Sequence, residues 1–248
     1  MTWLRLVRGE IRKLTTTKLP LGFLAVLVLI AGIDAAVVVF GTDMDGSKTF
    51  ISTAADQQSL MAFAFNAMLG TGLFGAIAVA REYGHHTVVP TYLTSPKRTR
   101  AGLAQLTAVL LGGALLGLVG QTLIIAGVAL ALPSTEYSFL VSAGGVAQIL
   151  AASTLAGAVG AVLGAGLGSV IRNLGGAVTA VVLALFMIPP LVVQLVSDAS
   201  SWVPPALGGA ISGVTHDVSV GAAIAALLLY GVLPAAAGLV AVHQRDVI

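Results

Sequence analysis

The stretch LPLGFLAVLVLIAGIDAAVVVF, Leu19 to Phe40, runs for 22 positions with a single ionisable side chain, Asp34, and follows a cluster of five cations. As an α-helix it is about 33 Å long, enough to cross a hydrocarbon core of about 30 Å. A cleavable signal sequence has the same order of parts, but its apolar region holds only about 7–15 residues. Leu19–Phe40 therefore reads as a retained membrane span.

The same reading extends along the chain. Apolar runs at about 57–80, 101–132, 143–170, 174–197 and 218–241 are each near or above the roughly 20 residues a span needs. Runs three and four exceed it, which predicts tilt or protrusion. Of the 12 lysines and arginines, Arg5, Arg8, Arg12, Lys13 and Lys18 precede the first run, and Arg81, Lys97, Arg98 and Arg100 lie between the second and third. Arg172 separates the fourth from the fifth, Arg245 follows the sixth, and Lys48 alone falls in an odd-numbered loop. Because Lys and Arg are retained on the cytoplasmic side during insertion, this alternation predicts six spans with both termini inside. Asp43, Asp45, Asp56, Glu136, Asp198 and Asp217 fall on the opposite side, in agreement.

Composition supports an all-α polytopic membrane protein. Apolar residues make up 57% and charged residues 9%, with a mean hydropathy of +1.01, whereas soluble domains carry about 25% charged residues. The net charge of +2 gives no case for nucleic acid and instead places basic loops beside the anionic lipid of the bilayer. With no cysteine, disulfide frameworks and thiolate metal sites are excluded. Residues 1–248 form one transmembrane domain without an inserted soluble module, because no segment between spans approaches the roughly 50 residues of a small domain. Energy must then come from another chain or from an ion gradient.

Local patterns add detail. In the arm 2–17, Trp3, Val7, Ile11 and Leu14 recur at helical spacing with Arg5, Arg8 and Arg12 on a separate face, which predicts an amphipathic interfacial helix. The loop 81–100 contains a segment near Thr87 that could form a short helix before Ser95-Pro96, with Tyr92 and Leu93 able to enter a partner's groove. Gly160, Gly164 and Gly168 share one face of the fourth span and predict a close helix–helix seam, within the bundle or between subunits. Pro189-Pro190 should kink or interrupt the fifth span.

Catalytic patterns are absent. Gly41–Thr49 resembles a phosphate loop, but Ser47 is inserted before Lys48 and no βαβ context surrounds it. His85-His86 lack neighbours at ligand spacing, so no metal site is read. No metalloprotease or intramembrane serine-protease pattern occurs, so no catalytic residue is assigned and the chain is not read as an enzyme. Asp34, the one ionisable residue clearly inside a span, is a candidate for an interior or cavity-facing role. Asn66, Gln121, Gln148 and Gln194 belong to a residue type that ties helices together more often than it meets cargo, and Phe63, Phe65, Met68 and Phe74 face lipid as readily as a pathway.

Four segments together resemble the permease subunits of type-two ABC exporters, above all the small six-span ones of high-GC Gram-positive bacteria. They are Arg8-Gly9-Glu10-Ile11-Arg12-Lys13-Leu14 with Thr15-Thr16-Thr17-Lys18; Glu82-Tyr83-Gly84-His85-His86-Thr87 running to Arg100; Gly166 to Ala177; and the proline-bearing fifth span with Trp202-Val203-Pro204-Pro205. At His85 and His86 that family more often carries arginine and glycine. The resemblance implies a bacterial plasma-membrane exporter built from two permeases, identical or different, each docking one of two cytosolic ATPase subunits. ATP and magnesium would be bound by the ATPase, with no cofactor in this chain. It further implies that the arm and loop 81–100 contact the ATPase, through Glu82, Tyr92, Leu93, Arg98 and Arg100. Spans two and five would border the pathway for hydrophobic or amphipathic cargo, near Asn66, Phe186 and Met187, with Asp34 a further candidate. The alternatives left open are an ATP-independent secondary transporter or channel, and a permease-like assembly factor.

Overall fold

A computed structural model describes residues 3–84 and 98–244. Six helices are long and apolar enough to cross a membrane, at Leu19–Phe40, Ala54–Gly84, Thr99–Ser134, Ala143–Ile171, Leu174–Leu195 and Val220–Gln244. No strand occurs among the described residues, and the architecture is that of an all-α, multi-pass membrane protein. The helices are α1 (Trp3–Thr15), α2 (Leu19–Phe40), α3 (Ala54–Met61), α4 (Ala64–Gly84) and α5 (Arg98–Ala131). They continue with α6 (Ala143–Ile171), α7 (Leu174–Val182), α8 (Ile188–Leu195), α9 (Pro204–Ile211) and α10 (Val220–Gln244).

Helix α6 is the central post. Its glycines and alanines let three neighbours approach to backbone contact, which matters in lipid because no hydrophobic force drives helices together there. A methyl group added at Gly160 would overlap the carbonyl oxygen of Met68, and one at Gly164 that of Gly72; both partners belong to α4. Gly168 continues the line, its missing methyl lying 3.1 Å from the Ala76 oxygen. On another face Gly157 meets Gly113 of α5, and Gly166 meets Pro234 and Gly238 of α10. The predicted seam is real and internal to the bundle. Around it Met68, Val181, Leu185, Leu207 and Leu227 are buried.

The second span is broken. Helix α3 stops at Met61 and α4 starts at Ala64, leaving backbone groups that water cannot satisfy inside a bundle. Gln121 of α5 replaces the missing bonds. Its amide nitrogen donates to the Met61 carbonyl at 2.8 Å, and its oxygen accepts from the Phe63 N–H at 3.3 Å and the Ser153 hydroxyl at 2.6 Å. Side chains expected as readily at the lipid face, Phe63, Met68 and Phe74, are instead buried, because the glycine seam draws this span into the centre.

Two further sequence expectations are refined. The fifth span stays helical through the prolines: one wide turn, Leu183–Met187, is π-helical, and Pro189 and Pro190 follow it in the first turn of α8. The segment read as an outer loop, 198–217, contains α9, whose Leu207, Ala210 and Ile211 are buried. Gln58 and Gln148 hold its end by donating to the carbonyls of Ser212 and Ile211 at 2.7 and 3.1 Å. At this same end Lys48 donates to the carbonyls of Val38 and Val39, capping α2 instead of forming a phosphate cradle.

Replacing Gly164 by Leu should lower stability in detergent by about 3 kcal/mol or more, since the obstacle is a backbone carbonyl that cannot swing aside. Gly22→Ala, where nothing lies within 4 Å, should leave melting unchanged or slightly raised. Gln121→Leu orphans the Met61 carbonyl and the Phe63 N–H, and should cost about 1–3 kcal/mol, read as a lowered melting midpoint in the same assay.

Candidate functional site

Among the described residues the cations other than Lys48 gather at one end of the bundle, because consecutive spans alternate in direction. There α1 packs against α5, and α4 ends at Arg81-Glu82-Tyr83-Gly84. Lys13 of α1 lies between two carboxylates, 2.8 Å from Glu10 on its own helix and 3.6 Å from Glu82 on α4. Glu10 is buried, with 8% of its surface exposed. Gln105, Ala108 and Arg81 complete the wall around the three groups. The two carboxylates are largely enclosed while the Lys13 side chain is 39% exposed, so the cation reaches in from the solvent side to neutralise them.

A second tie joins the same end. Arg172 closes α6 in a left-handed conformation, φ 57°, with its N–H donating to the Gly168 carbonyl at 2.9 Å. Its guanidinium lies over the Tyr83 ring, 5.2 Å from the centroid, and donates to the Ala241 carbonyl at 3.0 Å. A non-glycine residue is rarely left-handed, and here the two contacts hold it so. Asn173 then caps α7, its side-chain oxygen accepting from the Gly176 N–H at 2.9 Å. One arginine thus gathers the ends of α4, α6 and α10.

The predicted coupling residues divide. Glu82 is in the ion-paired cluster. Arg98 begins α5 and Arg100 is exposed on its first turn. Tyr92 and Leu93, with His85 and His86, lie outside the described residues. Reading the sequence alone missed Glu10, Lys13, Tyr83 and Arg172 as members of this site. Glu10 carried a signal: it falls on the apolar face of α1, beside Trp3, Val7 and Leu14, where an acid needs a partner.

The predicted pathway residues are dispersed. Asn66 is exposed and lines an apolar crevice of about 200 Å³ between α2, α4 and α5. Phe186 and Met187 do not line it; they lie on the π-helical turn, 57% and 49% exposed. Asp34 is half-buried on α2, the most exposed span of the six, with no hydrogen bond or ion pair among the described residues. Gln121 and Gln148 are helix ties, as their residue type suggested, whereas Gln194 is exposed. No protein-family model matches the chain, and no curated protein matches it in sequence.

Glu82→Ala removes the bridge between α1 and α4 without touching the glycine seam. Amide exchange along Trp3–Thr15 should then rise at least several-fold while exchange in α6 is unchanged; unchanged exchange in α1 would show that Glu82 does not hold this helix.

Proposed function

We propose that this protein is the membrane-spanning permease subunit of an ATP-driven exporter of the type-two ABC class, working in the plasma membrane of a bacterium with both termini in the cytoplasm. The observation that carries the reading is the ion-paired attachment of the basic helix α1 to Glu82. This residue stands at the head of the segment that resembles the ATPase-contacting loop of that class. A partner pressing on either α1 or the 81–100 segment would move both, and through α4 would move the central helix α6.

In this reading two copies of a cytosolic ATPase bind two permeases, identical or different, and ATP with magnesium is held by the ATPase. Closure of the ATPase pair displaces α1 and the 81–100 segment. Because α4 and α6 touch backbone to backbone, the displacement is passed to the spans as a rigid shift instead of being absorbed by side chains. Cargo moves outward if the inward-open and outward-open states bind it differently. Asn66 on the second span and Phe186 and Met187 on the fifth are the proposed pathway contacts, and their apolar surroundings suit a hydrophobic or amphipathic cargo such as a drug, peptide or lipid. Chemistry on the cargo is not part of the proposal. Tyr92, Leu93, Arg98 and Arg100 are proposed to meet the ATPase, the first two in a groove and the arginines against acidic groups.

The test is flux in vesicles containing this chain and an ABC ATPase that co-purifies with it. Transport should require ATP, and Tyr92→Ala with Leu93→Ala, or Arg98→Glu with Arg100→Glu, should lower it at least tenfold while the six spans still insert. Flux that persists without nucleotide would instead mark a secondary transporter or channel. A complex that hydrolyses ATP but moves nothing would favour an assembly role.

A further inference from the structure

Beside α1 lies an apolar cavity of about 200 Å³ that the proposed transport cycle does not use. Ile11 and Leu14 of α1 form one wall, and Phe74, Leu111, Gly112 and Leu115 form the others. It is an open groove and not an enclosed void, since Leu111 and Leu115 on its rim are 49% and 59% exposed. Without polar partners it does not hold ordered water. Its occupant must be apolar where it touches these walls.

The groove has a neighbour. The crevice that Asn66 lines is a second apolar cavity of about 200 Å³, and Leu116 lines both. Phe23 of the second cavity meets Phe74 of the first edge to face, with ring centroids 5.6 Å apart. The two adjoin at Leu116 and at this aromatic pair, and only the first, beside α1, is free of the proposed pathway residue Asn66. An open groove with almost wholly hydrocarbon walls suits an acyl chain.

Charge at the rim specifies the rest of the ligand. Arg8 and Arg12 are one turn apart on the exposed flank of α1 adjoining Ile11 and Thr15, and Lys18 follows at the start of α2. The acid of α1, Glu10, is on the other flank and is engaged by Lys13. No carboxylate among the described residues pairs with Arg8, Arg12 or Lys18. The hydroxyls of Thr15 and Thr16 donate to the Arg12 carbonyl, and that of Thr17 to the Leu14 carbonyl, so they are not spare donors. An anion here would be met by the cations.

We propose that the groove between α1, α2 and α5 binds one acyl chain of an anionic glycerophospholipid, with its phosphate held by Arg8 and Arg12. The lipid would fill the space that α1 leaves against α5 and complete the seat of that helix. The inference rests on the six-span reading and not on ATP-driven transport, and its test needs no ATPase.

The purified full chain, in nanodiscs of phosphatidylcholine containing a minor share of phosphatidylglycerol, is released into the gas phase and its retained lipids are weighed by native mass spectrometry. Wild type should retain one phosphatidylglycerol in preference to phosphatidylcholine. Near a membrane surface each cation contributes about 1 kcal/mol toward anionic lipid, so R8Q with R12Q should reduce the preference at least tenfold. Leu111→Trp, which fills the cavity from its open edge, should abolish retention of either lipid. Leu115→Trp is the second filling variant if the first is not monodisperse and helical by circular dichroism. Equal retention of the two lipids by wild type, or full phosphatidylglycerol retention in a folded Trp variant, would overturn the proposal. ATP-independent flux with lipid retention intact would overturn the transport reading alone.

Discussion

Backbone contact between α4 and α6 is the constraint on which the rest of the molecule depends. Gly160, Gly164 and Gly168 on one side, and Gly72 and Gly75 on the other, bring the two backbones together along the line where these helices meet. Carbonyl oxygens then face α-carbons, a contact with many short dispersion interactions and little freedom to slide. Such packing makes α6 a fixed post, and α5 and α10 seat on it by the same device through Gly113, Gly117 and Gly238. The outer spans are less enclosed: α2 meets α5 closely at Gly127, opposite the Ala31 carbonyl, but it and the α7–α8 pair are the least buried spans.

Drawing α4 so deep has a consequence for polar groups. Where the second span breaks at Ala62-Phe63, no water is at hand, and Gln121 and Ser153 supply the bonds instead. Gln57 serves similarly at the far end, donating to the carbonyls of Ile51 and Ser138 and accepting from the Leu140 N–H. With Gln58 and Gln148 gripping the end of α9, four glutamines replace backbone bonds that regular helices would have made. Uncharged amides fit this role because each offers a donor and an acceptor without the cost of burying a charge.

At the basic end, charge and backbone act together. Lys13 lies between Glu10 and Glu82, and Arg172 spans Tyr83 and Ala241, so two cations link α1, α4, α6 and α10 at their ends. Because α4 is also the helix in closest contact with the post, a force applied to α1 has a short, stiff route into the core. This is the physical content of the coupling proposed above.

Some of this was legible in the residues. The number of spans, their order and the gathering of cations at alternate loops depend on local hydropathy and on charge spacing, which a linear chain displays directly. The Gly160–Gly164–Gly168 face was visible for the same reason, since a four-residue repeat is a local property. Its partner was not: nothing in the spacing of α6 names Gly72 or Pro234, which meet it only through space. The break at Ala62, the inward turn of α9 and the Glu10–Lys13–Glu82 cluster likewise depend on residues 58 to 154 positions apart or on neighbouring helices. Sequence alone determined which segments are helices and at which end their charges lie. Only the tertiary structure decided which of them touch, because close packing is settled by shape across the bundle.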